Sequence, residues 1–117
     1  MKCLITGFEP FGVDAINPSQ EAVLALPDQI GDITLIKAVL TVAHGEASDR
    51  LKALMVEHRP DVVVCVGQAG GRTGLTIERV AINVDDYPIP DNAGHQPVDQ
   101  PIAAQGPAAY FLTLPNK

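Results

Sequence analysis

The chain has 117 residues, 46% of them hydrophobic and 19% charged, a balance too apolar for a disordered polymer and long enough to bury a core as one domain over 1–117. Its formal net charge is −6 and its eight lysines and arginines are scattered, which argues against nucleic acid or an anionic membrane surface as the main partner. No apolar run approaches a membrane span and MKCLITG lacks signal-peptide zoning, so the expected location is cytoplasmic.

Cys3 to Thr6 reads as a short buried strand, followed by a glycine-bounded loop from Gly7 to Gly12. A helix should begin at Asn17, whose side chain can cap it, with Pro18 at the first helical position and Ala22, Val23 and Leu26 as its apolar stripe. Ile33 to Val42 is rich in β-branched residues and reads as a second strand. A second helix is expected from about Gly45 to His58, because Leu51, Leu54, Met55 and His58 recur at helical spacing and Pro60 stops it.

Val62 to Val66 is an uninterrupted apolar run, the pattern of a strand buried on both faces of a parallel sheet. Cys3 and Cys65 both fall in such runs and read as buried, reduced thiols. A glycine-rich loop from Gly67 to Gly74 leads into a further strand-like segment, Thr76 to Val84. Strands alternating with helices indicate an α/β fold with parallel strands joined by crossovers.

From Asp85 onward the pattern changes, with six of the ten prolines in this stretch. Residues 85–106 read as an extended, Pro-rich segment, and one this long is usually functional or packs on something else. Pro107 to Leu112 reads as the first turns of a third helix, which the chain ends too soon to complete.

In open α/β sheets, ligands bind beyond the carboxyl ends of the strands. Two loops leave such ends, Gly7–Gly12 and Gly67–Arg72. The first holds two of the three phenylalanines, Phe8 and Phe11. Aromatics in a short loop are either a plug over the core or the wall of an apolar pocket. The second loop matches neither GxGxxG nor a P-loop, and its notable member is Gln68, a neutral donor and acceptor or simply a loop glutamine. Glu78 is either a solvent-facing carboxylate paired with Arg79 or another cation, or the group that orients a histidine in a nucleophilic triad.

His44, His58 and His95 lack metal-ligand spacing, so neither a metal nor any other cofactor is expected. His58 suits a helix end, where a cation is favourable, and His44 and His95 read as loop residues.

The segments CLITGFEPFG with Asn17–Pro18–Ser19, Pro60 to Asp86, Ile89 to Pro97 and Gly106 to Pro115 together resemble the pyroglutamyl peptidases over essentially the whole chain. That resemblance implies a three-layer α/β/α fold with a mostly parallel sheet, of which this chain is the N-terminal half. It implies a soluble cysteine peptidase that removes N-terminal pyroglutamate from peptides and assembles as a homo-oligomer, often a tetramer. Phe8 and Phe11 would flank the lactam ring, Gln68 would hydrogen-bond its amide, Glu78 would be the triad carboxylate, and Thr41 and Ile89 would contribute to the pocket.

Three features depart from the family pattern. The family's nucleophilic cysteine and its histidine follow the GPAAYF segment, and neither Cys3 nor Cys65 matches the catalytic position. Tyr87–Pro88 replaces a common Ala-Arg, and Leu40–Thr41 lacks a proline often found there. Three readings follow: part of an ordinary peptidase whose isolated chain is inactive, a non-catalytic binding or assembly module that keeps the lactam slot, or a remnant with an open sheet edge.

Overall fold

A computed structural model of the chain describes residues 1–115. They form two compact units: Met1–Ala69 with Pro90–His95, and Gly70–Ile89 with the residues from Gln96 onward. Among the described residues no helix is long and apolar enough to cross a membrane.

The first unit contains β1 (Lys2–Phe8), α1 (Pro18–Ala25), β2 (Gln29–Ile30), β3 (Ile33–Leu40), α2 (Glu46–His58) and β4 (Val62–Cys65). Its four strands lie in the order β2-β3-β1-β4. β1 runs parallel to both β3 and β4, and the two-residue β2 is antiparallel to β3. The α/β class is as the alternation of patterns indicates.

Register explains how the layers form. Leu4 stands opposite Ile36 and Val63, Thr6 opposite Ala38, and Phe8 opposite Leu40. These positions share one face, and there Leu4 and Leu40 bury against Leu54 of α2, with Phe8, Ile36, Ala38, Ala47, Leu51 and Val63 packed around them. Burying each such leucine contributes about 1.5–3 kcal/mol. Gly7 points to the opposite face by strand alternation, and there a Cβ would stand 2.6 Å from the Ser19 carbonyl oxygen of α1. The helices therefore cover opposite faces of the sheet, an α/β/α sandwich within this unit.

α1 begins as its sequence dictates. The Asn17 side chain accepts a hydrogen bond from the Ser19 N–H, and Pro18 occupies the first turn. Its inward stripe is narrower than expected: Ser19 and Val23 are buried, Leu26 is half-buried, and Ala22 faces solvent. α2 starts one residue later than expected and closes with Arg59 in the left-handed region, just before Pro60. Met55 is 41% exposed, and Ala47 takes the inward place expected of it.

Three further expectations for the first unit are corrected. β4 is not buried on both faces: it is an edge strand, with Val62, Val63 and Val64 half-buried. Cys65 is correspondingly exposed, whereas Cys3 on the central strand is buried. An apolar run reports that side chains want cover, and an edge position supplies it on one flank only. The loop after β1 is also shorter than read, because Gly7 and Phe8 still belong to the strand.

The second unit is built on β5 (Val80–Ile82) and β6 (Ala109–Phe111), paired antiparallel with Val80 opposite Phe111 and Ile82 opposite Ala109. The expected strand from Thr76 to Val84 is thus only three residues long. The helix expected over Pro107 to Leu112 is a strand instead. Tyr110 and Phe111 favour extended backbone, and the ladder continues on both sides through Asn83 N–H to Ala108 C=O (2.8 Å) and Leu112 N–H to Arg79 C=O (2.8 Å). The Pro-rich stretch doubles back on itself. Asp85 and Gln100 exchange backbone hydrogen bonds of 2.7 and 3.0 Å, and the Asn83 side chain bonds Ala103 through both its donor and its acceptor.

Candidate functional site

Because β1, β3 and β4 are parallel, their carboxyl ends share one edge of the sheet. Four of the residues singled out from the sequence lie there. Phe8 ends β1 and packs half-buried on the Leu4–Leu40–Leu54 cluster, so its ring covers the core as a plug would. Phe11 is half-buried in the loop that follows. Thr41 follows β3 directly and is exposed, its hydroxyl 3.5 Å from the Glu46 carboxylate.

Gln68 follows β4. Its Nε2 donates to Asp14 Oδ2 at 3.2 Å. Its Oε1 is buried and has no hydrogen-bond partner among the described residues, a property it shares with Thr6 Oγ1. A buried acceptor without a donor costs about 1–3 kcal/mol, so Gln68 is half satisfied and ready to accept an N–H.

The α1 cap braces this edge from beneath. Asn17 is fully buried, and its Nδ2 donates to the Glu9 carbonyl at 3.1 Å. Ser19 Oγ accepts from the Phe8 N–H at 2.9 Å and donates to Asn17 Oδ1 at 2.7 Å. One helix start therefore fixes the backbone on which Phe8 is carried.

Sequence reasoning missed a carboxylate in this unit. The Asp91 side chain is 2% exposed and accepts backbone N–H donors from His44, Ala93 and His95. His95 Nδ1 lies 3.6 Å from it, and the His44 and His95 rings are 5.9 Å apart. Desolvation by burial pushes the Asp91 carboxyl up, but the three backbone donors and the His95 charge outweigh it and hold the group below the usual carboxylate range. The Asp-Asn-Ala-Gly run, an Asx-turn composition, was the available signal. Among the described residues no group of three or more His, Cys, Asp or Glu is arranged to hold a metal ion.

Glu78 and Ile89 belong to the second unit. Glu78 is exposed and precedes β5 rather than lying within a strand. Its partner is Arg72, with Nη1 3.1 Å from Oε1, and the same guanidinium nitrogen lies 3.2 Å from Thr76 Oγ1. Ile89 is 48% exposed, and the neighbouring Pro88 is exposed as well. Cys3 has its thiol pushed up by burial, the opposite of what a nucleophile needs.

A family model for pyroglutamyl peptidases matches residues 1–117. The pyrrolidone-carboxylate peptidase of Levilactobacillus brevis is 54% identical over all of this chain, which spans 57% of that relative's length. The one from Thermococcus onnurineus is 56% identical, again over the whole chain and 58% of the relative. The crystal structure of pyrrolidone carboxyl peptidase from Pyrococcus furiosus superposes with a TM-score of 0.94 at 45% identity, covering 98% of this chain and 56% of that one. The chain thus spans a little over half the length of the relatives it matches. Matched from its first residue to its last, the chain belongs to the pyroglutamyl peptidase family.

Proposed function

We propose that this chain supplies the substrate-binding side of a cysteine peptidase that removes pyroglutamate from the N-terminus of peptides. The observation that carries the reading is Gln68, whose buried Oε1 waits for a donor at the strand edge that also bears Phe8, Phe11 and Thr41. A lactam has a flat apolar ring, one N–H and one C=O, and no charge. Two phenylalanines and a neutral amide match that chemistry, and a site built to pair the lactam groups rejects a ring lacking them by about 10⁴-fold or more.

In the proposed reaction a thiolate attacks the pyroglutamyl carbonyl, and a histidine takes and then returns the proton. Glu78 holds that histidine in its working tautomer. The thiolate and the histidine come from the portion of the family's length that this chain does not span. The family resemblance supports counting Ile89 among the substrate-binding residues. The complete enzyme works in the cytoplasm as a homo-oligomer.

A binding or assembly role without catalysis is the second reading. It is favoured by the apolar surface of the second unit, where Leu75, Ile77, Ile82, Tyr110 and Phe111 are each more than half exposed.

The test is turnover of a pyroglutamyl amide by the purified chain, alone and mixed with a polypeptide comprising the remaining portion of a relative. Turnover only in the mixture is expected. Turnover by the chain alone that disappears in Cys65→Ala would sink the assignment of the nucleophile. Stabilisation by pyroglutamate without turnover in either case would favour the binding module.

A further inference from the structure

The two residues between the paired phenylalanines are Glu9 and Pro10, and both are gripped from outside their own loop. The Glu9 N–H donates to the Leu40 carbonyl at 3.0 Å, as the ladder from β1 to β3 runs out. Glu9 Oε1 accepts from the Val42 N–H at 3.2 Å and from Asn92 Nδ2 at 3.0 Å. Asn92 Nδ2 also donates to the Pro10 carbonyl at 2.9 Å, and the Asn92 N–H donates to the Val42 carbonyl at 2.8 Å. The amide group of Asn92 has two N–H bonds, and these two acceptors use both.

Asn92 and Glu9 are thus the crosspiece of a closed ring. It joins the Phe8–Phe11 loop, the segment after β3 that begins with Thr41, and the Pro90–His95 turn. Asp91 fixes that turn on its other side through the His44 and His95 N–H groups. Two of the ring's hydrogen bonds end on the Glu9 side-chain oxygen and the others on backbone carbonyls.

We propose that Asn92 and Glu9 are positioning residues for pyroglutamate recognition: they hold the backbone between Phe8 and Phe11 so that the two aromatic side chains keep a fixed spacing. This rests on the pyroglutamyl reading above. Neither residue needs to touch the ligand. Their effect is to order the loop before binding, so that ordering is not charged against affinity when the ligand arrives, and binding geometry tolerates only about 0.5 Å of drift.

The experiment is titration of the purified chain with free L-pyroglutamate, for the wild type, Asn92→Ala, Glu9→Gln, Glu9→Ala and the Glu9→Ala/Asn92→Ala double variant. Urea unfolding and amide hydrogen exchange are followed on each. Asn92→Ala and Glu9→Ala are expected to weaken binding by about 10-fold or more, because each frees a loop that must then be ordered on binding. The double variant should be little worse than either single one, since opening the ring at either residue frees the same loop. Glu9→Gln keeps an acceptor oxygen and should recover most of the affinity. Exchange should quicken at residues 9–14 and 41–42, while Leu4 and Val23 stay protected and the urea midpoint barely moves.

Wild-type affinity in Asn92→Ala and Glu9→Ala would overturn the positioning role and leave the pyroglutamyl reading standing. Loss of affinity that merely tracks a fall in the urea midpoint would also overturn it, as the signature of general destabilisation. If Asn92→Ala does not fold, Glu9→Gln against Glu9→Ala decides alone: equal losses overturn the proposal. No binding by the wild type, with the loop amides protected, would be a failure of the pyroglutamyl reading, and the proposal would fall with it.

Discussion

The Arg72 guanidinium lies 3.1 Å from the Glu78 carboxylate, and the two side chains are 54% and 77% exposed. An ion pair this open is screened by water and salt and contributes about 0–1 kcal/mol. So open a pair does not fix the Glu78 carboxylate in place. Arg72→Ala should shift the melting temperature of the chain by no more than a degree or two, and the small effect should vanish in 1 M salt (on the order of 3 Å screening length). A large loss of stability would mean that the pair is structural and that Glu78 is committed to it.

Gly7 is required by the approach of α1 to the sheet. An added Cβ would stand 2.6 Å from the Ser19 oxygen and 2.8 Å from its carbonyl carbon, both backbone atoms that cannot rotate away. Gly7→Ala is expected to cost about 1–3 kcal/mol, as overpacking does in well-filled interiors. Gly70→Ala, where a Cβ meets nothing within 4 Å, is the control and should leave the urea midpoint within error.

Arg59 closes α2 at φ 46°, ψ 59°, with its N–H donating to the Met55 carbonyl. An L-residue in this region carries a penalty of about 1–2 kcal/mol. Glycine removes that penalty but loses roughly 0.5–1 kcal/mol through its freer unfolded chain. Arg59→Gly should therefore raise stability by up to about 1 kcal/mol, readable as an increased urea midpoint with an unchanged slope.

Asp91 makes stability depend on pH in a definite direction. Its carboxyl is held below the usual range in the folded chain. Its contribution is then complete above the unfolded value of about 3.9 and is lost as pH falls through the lower folded value. Asp91→Asn should melt earlier than the wild type at neutral pH, and the gap should close as pH is lowered through the acid range. A gap that stays constant down to the lowest pH at which the chain folds would contradict the role given to the ionised carboxylate.

The cysteines should separate kinetically. Cys65 is exposed on the edge strand, and Cys3 is buried with its thiol pushed up by desolvation. A thiol reagent at mildly alkaline pH should titrate Cys65 quickly and Cys3 only on the timescale of unfolding. Two equally fast reactions would show that β1 is not the protected centre of the sheet.

Some of this architecture was legible along the chain, and the pattern of successes has a physical cause. Asn17–Pro18 reports a helix start because a cap is a contact between residues two positions apart. Pro60 reports the end of α2 because a missing N–H acts on its own turn. The alternation of such segments is enough to give the α/β class. The Phe8–Phe11 pair stands out by composition, as a plug or a pocket wall, whereas Gln68 reads as an ordinary loop glutamine until the family resemblance gives it a role.

What the sequence by itself determined is therefore local: capped helices, β-rich runs, and loops carrying side chains out of keeping with loops. The tertiary structure decided which strand is central and which is an edge, and so that Cys3 is buried and Cys65 is not. It decided that Tyr110 and Phe111 extend along β5, because a short apolar segment takes the conformation of the backbone that pairs with it. It also joined Asn92 to Glu9 across more than eighty residues of chain, and Asp91 to the His44 N–H across more than forty. Hydrophobic periodicity extends over a few turns at most, so contacts at that separation leave no trace in it; they exist only once parallel strands bring their carboxyl ends to one edge.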